Sequence, residues 1–96
     1  MLSVNLSNLS KSFDNVEITY TDIVNYEIAR ENICGYIFLL ARKAKTVTGN
    51  EKEEIDSKRA KLRFIRDKLQ IADKNTVAII LDELIPLYRS EAANKS

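Results

Sequence analysis

The side chains best placed for chemistry in this chain are one cysteine, a knot of carboxylates and four tyrosines, and histidine is absent. Without histidine there is no Ser-His-Asp or Cys-His relay, no histidine ligand for zinc and no imidazole pH switch. Cys34, alone, supports neither an intrachain disulfide nor a cysteine-cluster metal site. It sits among isoleucines and a phenylalanine with no base to form its thiolate, and reads as a small buried hydrophobe. Glu51, Glu53, Glu54 and Asp56 are dense, but at helical spacing they point in different directions. They complement the positive end of a helix dipole better than they converge on a cation. Tyr26, Tyr36 and Tyr88 fall on apolar faces, where ring packing with the hydroxyl at the rim is the ordinary role. TVTGNEKEE has one glycine and no G-x-x-x-x-G-K-[ST] loop for phosphates. No enzyme, cofactor or metal is expected. Any catalysis would fall to carboxylate, lysine or tyrosine.

Two other sets of residues suit recognition. A net charge of +1 conceals a basic middle: residues 41–70 carry ten basic and five acidic groups, while 1–40 carry two and five. Lys52, Arg59, Arg63 and Arg66 fall on one helical stripe that would suit phosphates or an acidic partner. Acids at helical spacing (Asp56 before Arg59, Glu54 before Lys58, Asp67 after Arg63) would instead make the stripe a solvated face of ion pairs. No aromatic interleaves it on its own face, as stacking on single strands requires.

The second set is the run ICGYIFLL, residues 33–40. Ile33, Tyr36, Ile37 and Leu40 fill one face of a helix, so Cys34, Phe38 and Leu39 spread apolar surface around it. Gly35 costs a helix about 1 kcal/mol relative to alanine, which points to another backbone coming close there. Either the other helices and an N-terminal arm wrap this segment, or Ile28, Gly35, Phe38 and Leu39 form a surface for self-association or a partner.

The elements that position these residues are helical. Ninety-six residues suit one domain, and two glycines with one proline favour an all-α chain. The expected fold is a small antiparallel bundle of three main helices, about 20–47, 51–71 and 76–90. Thr19 and Asp22 make a capping box for the first. Thr48-Gly49-Asn50 supplies a stop and turn, with Thr48 or Asn50 capping the second helix. Asp73 or Asn75 caps the third, which Pro86 should kink or end. Residues 1–19 read as an arm, extended or a short helix, ahead of a helical domain over 20–91 and a frayed tail over 92–96.

The run 33–40 is too short to span a bilayer, which needs about 20 apolar residues. The N-terminus shows neither secretory nor transit character, so a cytoplasmic protein is expected and the N-x-S triplets at Asn5, Asn8 and Asn94 are idle. The expected function is a non-enzymatic protein-interaction module, such as an adaptor, inhibitor, immunity-type or regulatory protein, self-associating as a homodimer through the first helix. The alternative is a small dimeric DNA-binding regulator using the basic stripe. Residues 61–90 have the length of a helix-turn-helix, but helix 76–90 offers only Arg89 against Asp82 and Glu83, a poor groove reader.

Overall fold

A computed structural model describes residues 17–94, which form three helical segments and, among the described residues, no strand. Helix α1 spans Tyr20–Ala44 and α2 spans Gly49–Lys68. The third segment starts as α3, Lys74–Ile79, widens into a π-turn at Ile80–Leu84 and resumes as α4, Ile85–Ala93. The all-α bundle expected from periodicity is the fold. Of the arm expected over 1–19, only Glu17–Thr19 fall within the described residues, and the tail expected to fray from 92 is helical to Ala93.

Local chemistry sets the boundaries. The Asp22 amide donates to Thr19 Oγ1 at 3.1 Å, and the Thr19 amide donates to Asp22 Oδ2 at 2.9 Å, which closes the capping box. At the far end, Arg42 and Lys43 lie in the last turn, where positive charge meets free carbonyls. Gly49, expected to stop a helix, is instead the first residue of α2. Its φ of +68° is a left-handed conformation natural to glycine, and open space surrounds the position of a Cβ. Thr48 precedes it as N-cap without a side-chain bond, and Asp73 spends its carboxylate on the Gln70 amide (2.9 Å).

Pro86 does not end the third helix. Proline lacks the amide that would bond the Asp82 carbonyl, and its ring crowds that carbonyl. Just upstream the ladder loosens by one residue, with the Ile85 amide donating to the Ile80 carbonyl, and the helix continues.

Helix α1 is central. The Tyr26 hydroxyl donates to the Leu69 carbonyl (3.5 Å), so α2 returns antiparallel along α1. Lys74 pairs with Asp22 at 3.0 Å and Lys43 with Glu91 at 3.4 Å, so the third segment runs alongside α1 in the same direction. No Cα of α2 comes within 8 Å of a Cα of the third segment; those two flank α1 and meet through side chains. Ala29, Ile33, Tyr36 and Leu40 of α1 are buried between them with Leu62, Leu69, Val77, Ile80 and Ile85. Burial of these apolar groups is the main stabilising term.

Candidate functional site

The apolar run on α1 divides by helical angle. Leu40 faces the core, and Phe38, two residues earlier and about 200° away round the helix, points to the opposite side. Phe38 is 66% exposed. Cys34 lies one turn before it on that face and is exposed as well, not the buried hydrophobe its neighbours suggested.

The other residues expected at an interface lie elsewhere. Leu39 is only 7% exposed and belongs to the core of its own chain. Gly35 is covered by α4: a Cβ there would stand 2.6 Å from the Tyr88 hydroxyl oxygen. What comes close to Gly35 is a tyrosine ring, not the backbone expected there. Ile28 is partly exposed, but ten residues of helix set it about 15 Å along the axis from Phe38. Of Ile28, Gly35, Phe38 and Leu39, the fold leaves Ile28 and Phe38 open, on separate surfaces.

Packing of α4 on Gly35 builds a cluster that sequence reasoning missed. The Tyr36 and Tyr88 rings stack with centroids 5.3 Å apart. The Tyr36 hydroxyl donates to Glu91 Oε2, Lys58 of α2 reaches the same oxygen at 3.1 Å, and Lys43 approaches Oε1 at 3.4 Å. The Lys58 ammonium also sits 5.1 Å from the centre of the Tyr36 ring, a cation–π contact. Burial pushes the Glu91 carboxyl above the ordinary glutamate range, while the two ammonium groups beside it oppose that shift. These bonds to the Glu91 carboxylate tie three helices together. The one signal in the sequence was the i,i+3 spacing of Tyr88 and Glu91, which places both on a common face.

The basic stripe of α2 is largely engaged too. Lys52 and Arg59 both pair with Asp56, at 2.8 and 3.3 Å, and Arg66 pairs with Asp67 at 3.1 Å. These pairs hold the Asp56 carboxyl below the usual aspartate range, through the Lys52 hydrogen bond first of all. Lys58 reaches Glu91 instead of Glu54, and Asp67 takes Arg66 instead of Arg63. Arg59 lies partly buried at the margin of the core, with its Nε lacking a partner among the described residues. Arg63 is the stripe residue that stands exposed without an ion pair among the described residues.

Among the described residues no three carboxylate or thiol side chains converge as a metal site, and no helix is long and apolar enough to cross a membrane. Compared with known proteins, the chain matches no family model, no curated protein and no solved structure.

Proposed function

We propose that this chain is a non-enzymatic protein-interaction module that binds through the open face of α1. The observation that carries this reading is Phe38, a large aromatic turned directly away from a core that its helix neighbours fill. A lone exposed apolar side chain is ordinary, but an aromatic with an exposed cysteine one turn away is the kind of anchor around which binding energy concentrates. The polar clusters support the same reading, because their ion pairs and hydrogen bonds are made within the chain and join α1, α2 and α4 around that face. The DNA-binding alternative gains nothing comparable: Lys52, Arg59 and Arg66 are committed to neighbouring acids.

The test is an affinity capture with the wild type and Phe38→Asp as parallel baits, with and without nuclease treatment. Because Phe38 is exposed, the substitution should leave the circular dichroism unchanged. A protein retained in stoichiometric amount by the wild type and lost by Phe38→Asp supports the module. Captured material that disappears with nuclease, and with Arg63→Ala, moves the function to nucleic acid, where binding should also weaken steeply with salt.

A further inference from the structure

We infer that the occupant of this face is a second copy of the same chain, docked antiparallel so that α1 lies against α1 about a two-fold axis near residue 36. This rests on the reading of the open α1 face as a protein-binding surface.

Charge order along the face points to that partner. Opposite the core, the exposed residues of α1 and its cap fall within about 100° of one another in the order Tyr20, Ile23, Glu27, Glu31, Cys34, Phe38, Arg42, Lys45. Beyond the apolar Tyr20 and Ile23 at its start, acids come first, bases last, and Cys34 and Phe38 lie between them. None of these four charged groups has an ion-pair partner among the described residues, although Lys43, Lys52, Lys58, Arg59, Arg66 and Lys74 all do. A strip of this kind is complementary to its own reverse. With the two-fold axis near residue 36, Glu27 of one copy faces Lys45 of the other, Glu31 faces Arg42, and Phe38 packs beside Cys34. The rotation repeats each pair on both sides of the axis, as an isologous contact requires. A parallel pair would set acid on acid and base on base, so the order selects one orientation as well as one partner.

The contact has a single aromatic at its centre and belongs at the small end of specific interfaces, below about 1,200 Å². Association is therefore expected in the micromolar range, and more weakly at high salt because the pairs are exposed.

Sedimentation equilibrium of the full chain, from about 5 μM to 1 mM, reads the outcome. A dimer is expected, and Phe38→Asp should weaken it by about a hundredfold or more while the chain stays helical. Glu27→Lys alone and Lys45→Glu alone should each weaken it by about tenfold. The double variant Glu27→Lys/Lys45→Glu should recover the wild-type affinity, since reversing both charges restores each cross-pair. A dimer indifferent to Phe38→Asp, or single reversals that the double variant does not rescue, overturns the antiparallel pairing. A monomer at 1 mM overturns self-pairing altogether; the broader protein-binding reading would then stand or fall on the Phe38→Asp capture.

Discussion

Gly35 carries the tightest residue-level constraint. Alanine would favour the helix by about 1 kcal/mol, but its Cβ would press on a Tyr88 ring already stacked against Tyr36. Crowding of this kind costs about 1–3 kcal/mol, so Gly35→Ala should lower stability by about 1 kcal/mol in denaturant titrations. Adding Tyr88→Phe, which removes the nearest atom, should recover part of the loss; no recovery would place the strain elsewhere. Glu91 makes a second prediction at this scale. Its carboxyl holds its proton to higher pH in the folded chain than in the unfolded one, because burial disfavours the charge. The native state thus binds more protons in that window, and stability contributed by this group falls as pH rises through the folded pKa. Compared with Glu91→Gln across pH 3–7, the wild type should gain in relative stability as pH falls from neutral toward the ordinary glutamate range. A relative loss would mean that Lys43 and Lys58 outweigh the burial.

At the scale of elements, the two helix starts respond differently to substitution. Thr19→Ala removes one half of the capping box and should cost about 1 kcal/mol, measured as a shift in denaturation midpoint at constant slope. The other half is pH-dependent. The Thr19 amide, and after it Lys74, hold the Asp22 carboxyl below the usual range, so its contribution is present above the unfolded aspartate pKa and is lost as pH falls through the folded one. Gly49→Ala should also cost about 1 kcal/mol, but through backbone strain at positive φ, with no dependence on pH. The third segment shows how one missing amide reorganises an element. On a regular wheel Ile85 and Leu87 lie at opposite margins of the apolar stripe; the extra residue in the π-turn rotates the downstream helix by about 100°. Ile85 turns into the core and Leu87 turns out to 45% exposure.

For the whole molecule, the arrangement of α2 and the third segment on either side of α1 decides which parts of one helix hold the fold and which stay exposed. Leu40, 1% exposed, sits on the inner side, and Leu40→Ala should cost about 2–5 kcal/mol. Phe38→Ala, two residues away, should change monomer stability by no more than about 0.5 kcal/mol. Thermal melts of the two variants at about 0.1 μM, well below the micromolar association expected for the wild type, compare them directly. Similar losses from both would show that Phe38 is packed and would remove the open face. Lys58 is the complementary case, since its ammonium bridges α2 to Glu91 across a gap no backbone contact closes.

Short-range chemistry controls everything that the sequence determined alone. The helical periods, the Thr19–Asp22 box and the inward stripe of Ile33, Tyr36 and Leu40 come from spacing along one helix, and the structure has all of them. Spacing also placed Phe38 off that stripe. It placed Leu39 off the stripe too, and the difference between those neighbours was decided only by α4, which packs over Gly35 and covers one flank of α1 but not the other. The cluster around Glu91 was illegible for the same reason: Tyr36, Lys43 and Lys58 lie 33 to 55 residues before it in the chain, and the turn of the last helix depends on a π-turn whose position no period announces. A period reports which side of a helix is apolar. Which neighbour covers that side, and how far round, depends on where the other helices come to rest.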